Sequence, residues 1–420
     1  MRRRSTLLAV LATAVATAVT AVPASAPAET AAASDGLVRP AKDPFYTYDG
    51  ATPLRDVKPG TPLNTREVTL AADTNATPLP AEQILYRTTD TRGRAVTTVT
   101  TVVQPATGTA VAPRVTAYLS FYDALSAKCD PSYTLRGGNP GAANTQLTDL
   151  EQATVQSLAD QGYVVTVPDF EGQDLHWVAG RESGISTLDG ITATLKALKL
   201  DEKSTPVGMM GYSGGSIAAD WASELQPHHA KDLNLVGTAM GGIPANLKHN
   251  LPYINGTPEW SDVIPGSMIG ISRAYGLHLR HYLSRWGRKV ARTESHQCIG
   301  EMSGEFPDLT IKHLMKKRYE DILDVPVFKR TMQKLKMGSA KGHPSGPLFM
   351  LWGIHDETGD DVMVAADQAE LASSYCKQGV TVQTQEVQGA DHTNAGATFI
   401  PAAEAWLAAR FAGTPAPSSC

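Results

Sequence analysis

Beyond its N-terminus this 420-residue chain has no long uncharged apolar run, so no later segment has the length of apolar sequence that a membrane span needs. The spacings CxxC and HExxH are missing, which leaves a structural or catalytic zinc site without motif support. GxGxxG is missing as well, and with it the usual mark of a dinucleotide-binding turn. Positive charge is in deficit: 37 Lys and Arg face 42 Asp and Glu, a formal net charge of −5. No basic stripe of the kind nucleic acids require is present, and the local run from Lys312 to Arg318 reads as a solvated helix face. Cysteine is scarce. Cys129, Cys298, Cys376 and Cys420 are an even set, which in an exported chain suggests two disulfides with three pairings open.

Apolar residues make up 42% of the chain and charged residues 19%, ample for one large core and for one to three domains. The N-terminus has the three parts of a secretory leader: Arg2 to Arg4, an apolar stretch from Leu7 to Val22, and the small residues Ala24-Ser25-Ala26. Residues 1–26 are therefore expected to be removed, with cleavage at 28 or slightly later also open because Pro27 follows Ala26. Removal takes away three arginines and no acid, and carries the formal charge from −5 to −8. Residues 27–42, rich in Ala, Pro and Ser, read as loose.

Strand-like runs recur from there: Val96–Val103, Arg114–Phe121, Tyr163–Val167, Val207–Met210, Leu233–Thr238, Leu348–Trp352 and, more weakly, Val380–Val387. Helical patterns lie between them at Thr148–Gln161, Ile185–Leu198, Ser216–Leu225, Ala365–Lys377 and Ala402–Phe411. The alternation predicts an α/β fold on a mostly parallel sheet. Residues 243–341 break it with Trp260, Trp286 and helical patterns over Ser267–Trp286 and Pro307–Leu323. They read as a helical cap inserted over the sheet's carboxyl edge, the core being residues 43–242 and 342–420.

Gly211-Tyr212-Ser213-Gly214-Gly215 follows an apolar strand and precedes a helix. A serine on such a turn points its hydroxyl out of the sheet, and flanking glycines let neighbouring backbone approach. A hydroxyl needs a base to become a nucleophile. Ten histidines follow Ser213, and His392 alone sits in a loop after a late strand and before the final helix. Its acid is expected in the loop after Leu348–Trp352, with Asp356 the first choice and Asp360 and Asp361 rivals in the same loop. Oxyanion donors are expected at Gly214 and, after an early strand, at Asp123.

Six segments together resemble a known family. They are Asp43-Pro44-Phe45-Tyr46; Ser120 to Ala124 with Cys129 to Tyr133; Gly162 to Val165 through Pro168 to Gly172; Ala179-Gly180-Arg181; the Gly211 to Gly215 turn; and Gly353 to Glu357. The chain resembles the secretory lipases, the Candida antarctica lipase A-like branch of the α/β-hydrolase superfamily, from about Asp43 to about Ala409. The resemblance implies an α/β-hydrolase fold with helices on both faces of the sheet and an inserted helical cap. It implies a triad on Ser213, Asp356 and His392, oxyanion donors on Asp123 and Gly214, and disulfides Cys129–Cys298 and, by remainder, Cys376–Cys420. One departure stands out: after Asp356-Glu357 this chain has Thr358-Gly359-Asp360-Asp361, where the family continues into an apolar residue and Val-Pro. The expected activity is hydrolysis of carboxylic esters, most of all triacylglycerols, by a secreted enzyme that takes no cofactor and meets its ester or lipid substrate at a lipid–water interface. A short-chain esterase, an acyltransferase or a noncatalytic binding protein on the same fold are the rival expectations.

Overall fold

Five short runs of this sequence are apolar on both sides of the backbone, and such strands are stable only between two layers of helix. A computed structural model describes residues 37–73, 76–105, 112–319, 321–340 and 342–420. The expected leader, 1–26, and most of the 27–42 segment lie outside the described residues. The described end of that segment is ordered by a turn of 3₁₀ helix, Pro40–Lys42, with Pro40 buried.

Nine strands form one sheet among the described residues: β1 (Pro62–Leu70), β2 (Leu79–Thr89), β3 (Ala95–Val103), β4 (Val115–Leu119), β5 (Val164–Pro168), β6 (Val207–Tyr212), β7 (Leu235–Gly241), β8 (Leu348–Ile354) and β9 (Val382–Gln388). Their order is β1-β2-β3-β5-β4-β6-β7-β8-β9. The first three are an antiparallel meander, β3 joins β5 antiparallel, and the remaining neighbours run parallel. This is the α/β-hydrolase arrangement.

Period-two alternation divides the strand side chains between two cores. Val115, Ala117, Val207, Met209, Leu348 and Met350 face one, with the helices Gly180–Ala197 and Gly214–His229 over them. Tyr118, Met210, Phe349 and Leu351 face the other, under the helices Ala142–Asp160 and His392–Phe411. Register keeps the carboxyl ends level: Leu119 pairs with Gly211, Tyr212 with Gly241, and Gly241 with Leu351. A crevice at those ends is where a parallel sheet offers a site.

The stretch between β7 and β8 is helical, but in shorter pieces than its sequence predicts. The helix expected over Ser267–Trp286 stops at Tyr275, because Gly276 takes a left-handed cap with φ of 65°. The chain resumes as the helix Arg285–Glu294. Pro307–Leu323 holds one α-turn, Ile311–Leu314, and one 3₁₀ turn, Ile322–Asp324.

Two disulfides staple the fold: Cys129–Cys298, between the loop after β4 and the insertion, and Cys376–Cys420. The second brings the C-terminal tail against β9, the last strand of the sheet. There Ser419 N–H donates to the Val382 carbonyl at 2.7 Å, and Thr384 N–H donates to Ser419 Oγ at 3.0 Å. No helix of the described residues is long and apolar enough to cross a membrane.

Candidate active site

β6 ends in the sharp turn that the glycine-flanked serine predicts. Ser213 has φ 52° and ψ −120°, a backbone region that side chains seldom occupy. The three glycines around it make the turn possible. A Cβ at Gly211 would stand 2.3 Å from the Gly215 carbonyl oxygen, and one at Gly215 would stand 2.0 Å from that of Leu119. One at Gly214 would overlap the Asp123 carboxyl, 1.9 Å away. The Ser213 N–H donates to the Gly241 carbonyl of β7 at 2.9 Å, which holds the turn to the sheet.

His392 is brought in from the far end of the chain. It opens the last helix, whose preceding residue, Asp391, caps it by accepting from Asn394 N–H. The Tyr212 hydroxyl donates to the His392 carbonyl at 2.6 Å, so the residue beside the serine also fixes the histidine backbone. The imidazole Nε2 lies 2.9 Å from Ser213 Oγ. Its Nδ1 lies 2.9 Å from Asp360 Oδ2. With Nδ1 protonated and donating to Asp360, Nε2 is left to accept the Ser213 hydroxyl proton.

The carboxyl that meets His392 is thus that of Asp360, one of the two rivals, and not that of Asp356, the first expectation. The loop after β8 folds back on itself: His355 and Asp356 N–H donate to the Gly359 carbonyl at 2.7 and 3.0 Å. That turn leaves Asp356 exposed at its tip, where Oδ1 accepts from Thr358 and Gly359 N–H at 2.6 and 2.8 Å. The extra residues Thr358 to Asp361 carry the next acid inward. Asp360 is fully buried, and its Oδ1 accepts from Val362 and Met363 N–H at 3.1 and 2.6 Å. Asp361 turns the other way, at φ 76°, and pairs with His355 at 2.8 Å. The apolar Val362-Met363 pair was the sequence signal for this outcome, since it marks where the loop returns to the core.

Asp123 and Gly214 meet as expected. Asp123 sits after β4 with φ 30°, and neither its N–H nor that of Gly214 has an acceptor among the described residues. The loop is anchored on both sides: Ala124 N–H donates to Glu171 at 3.1 Å, Leu125 N–H donates to the Gln297 carbonyl at 3.1 Å, and Cys129 is bonded to Cys298. The Asp123 side chain is buried and accepts from Trp177 Nε1–H at 2.6 Å. Burial pushes its pKa up to about 7, against the pull of the Trp177 hydrogen bond and of His392. The sequence offered no signal for Trp177, nor for Trp260, whose ring stands edge-on to His392 with centroids 5.5 Å apart.

Ser213, His392, Asp123 and Gly214 open into a cavity of about 600 Å³. Its wall is largely apolar and includes Leu147 and Leu150 from the helix before β5, and Leu247, Leu251 and Ile254 from the insertion. A serine hydroxyl, an imidazole and a carboxylate in hydrogen-bond contact, beside two unpaired N–H donors and an apolar chamber, form an arrangement chemically suited to acyl transfer.

The chain is similar to known proteins over most of its length. A family model described as secretory lipase matches residues 139–419. A probable inactive lipase of Mycobacterium tuberculosis is 32% identical, over 90% of this chain and 83% of that protein. A secreted triacylglycerol lipase of Malassezia globosa is 31% identical, over 94% of this chain and 86% of that protein. Among solved structures, Candida antarctica lipase A in its closed state superposes with a TM-score of 0.82 at 25% identity, over 91% of this chain and 89% of that one.

Proposed function

The chain belongs to the secretory lipase family, and from that premise we propose that it is a secreted triacylglycerol lipase acting through Ser213, His392 and Asp360. The observation that carries this reading is the unbroken chain of contacts from Asp360 through His392 to Ser213, at 2.9 Å each, ending in an apolar cavity. A relative described as inactive makes those contacts the deciding feature, because a chain without them would have the fold and not the chemistry.

His392 Nε2 takes the proton of Ser213, whose Oγ attacks the ester carbonyl carbon. The carbonyl oxygen becomes an oxyanion held by the N–H groups of Asp123 and Gly214, helped by the N-terminus of the helix Gly214–His229. The intermediate collapses, the C–O bond to the alcohol breaks, and His392 gives its proton to the leaving alkoxide. Water then repeats the sequence on the acyl-enzyme, releases the fatty acid and restores Ser213. Asp360 keeps its charge throughout and steadies the imidazolium.

Purified protein should hydrolyse emulsified triacylglycerol, with rates on p-nitrophenyl esters rising from acetate toward long acyl chains, and Ser213→Ala should abolish both. A profile that peaks at acetate and shows nothing on the emulsion would replace the lipase with a short-chain esterase. Persistence of hydrolysis in Ser213→Ala would remove the mechanism.

A further inference from the structure

The helix Arg285–Glu294 in the insertion is strongly two-sided. Gly287, Val290 and Glu294 are buried on one face. At helical spacing, Arg285, Lys289 and Arg292 form an exposed row on the opposite face, and none of them has an acidic partner within 4 Å among the described residues. Trp286 flanks that row and is 39% exposed, one of the few large apolar side chains that the described surface shows. Its ring is supported edge-on by Phe306 at 6.1 Å and His313 at 6.4 Å. The segment holding His313 and the exposed Lys312 is fixed there by backbone bonds, Ser284 N–H to the Leu314 carbonyl at 2.8 Å and Lys316 N–H to that of Tyr282 at 2.9 Å. Of the acids in this stretch, Glu294 is buried and Glu301 pairs with Lys128, while Glu305, which accepts from Gln297, and Asp308 are exposed.

We infer that this face is a docking surface for an anionic lipid surface. The chain as a whole is negative, so a row of unpaired cations beside an exposed indole is a local feature that uniform surface charge does not explain. Cations in a row complement acidic headgroups, and a tryptophan settles at the boundary between headgroup and acyl chain. The same insertion supplies Ile299, Gly300 and Ser303 to the cavity wall. The binding itself is independent of the proposed hydrolysis.

Cosedimentation of the full chain carrying Ser213→Ala with vesicles tests it, using phosphatidylcholine alone and phosphatidylcholine mixed with phosphatidylglycerol. Binding is expected for the mixed vesicles only, and should weaken as salt is raised. Replacing Arg285, Lys289 and Arg292 by Gln should weaken it about fivefold per cation, about a hundredfold together. Trp286→Ala should weaken it severalfold. With Ser213 intact, these variants should hydrolyse a soluble short-chain ester at the parent rate. Lys289→Glu, a single change at an exposed site, gives a second measurement that does not depend on the triple variant folding. Equal binding to both vesicles, unchanged binding by the charge variants, or binding to heparin or DNA with none to vesicles would each overturn the inference. Vesicle binding by a chain that proves inactive on esters would leave it standing and remove only the proposed activity.

Discussion

Both oxygens of Asp360 are committed before a substrate arrives, one to His392 Nδ1 and the other to the Val362 and Met363 amides. A carboxylate held in this way sets the imidazole tautomer and also anchors its own loop. Asp360→Asn should therefore lower kcat by about 10⁴-fold, because an amide nitrogen facing Nδ1 favours the wrong tautomer. Asp356→Asn should change kcat by less than about threefold, because the amide oxygen can go on accepting from Thr358 and Gly359 N–H. Reversed results in steady-state kinetics on a soluble ester would return the acid to Asp356. Ser213 and His392 were legible in the sequence because each is marked by neighbours in the chain: strand, glycines and helix for one, a late loop before the last helix for the other. Three aspartates within six residues carry no such mark. Choosing among them depends on which carboxyl the folded loop buries, a property set by tertiary contacts.

At the scale of elements, the loop after β4 is held by a backbone bridge between Ala124 and Cys298 and by the disulfide that follows it. It carries one of the two proposed oxyanion donors, and a lost donor costs about 10² to 10³ in kcat. Replacing Cys129 and Cys298 by Ser loosens that donor without removing it. We expect kcat to fall about tenfold, with KM less affected, at temperatures where circular dichroism reports a folded chain. An unchanged kcat would show that the backbone bridge suffices. The parallel strands were legible because burial on both faces forces continuous apolar runs. β1 and β2 were not named from sequence: in β1 the apolar alternation comes down to Val68 and Leu70 after a polar run, too short to distinguish it from a loop. The insertion's helix ends were misplaced for a different reason, since apolar spacing continues across Gly276 while the backbone turns there.

At the scale of the whole molecule, burial makes several acids hold their protons more tightly. Burial pushes Asp123, Glu151 and Asp169 each up to about 7. Each binds its proton more tightly folded than unfolded, so their contribution to stability is complete below about pH 4 and is lost as pH rises through about 7. Tm should accordingly fall between about pH 5 and pH 8, and Glu151→Gln should flatten that slope. A Tm that rises over the interval would refute the assignment. The tail tied down by Cys376–Cys420 matters at this scale too. β9 ends the sheet, and Ser419 occupies backbone groups on its open side that another copy's strand could otherwise take. The second disulfide thus guards against edge-to-edge association as well as restraining the chain end. Truncation before Pro415 should leave esterase activity intact at low concentration and make light scattering rise with concentration, as expected of a strand that has lost its sheath.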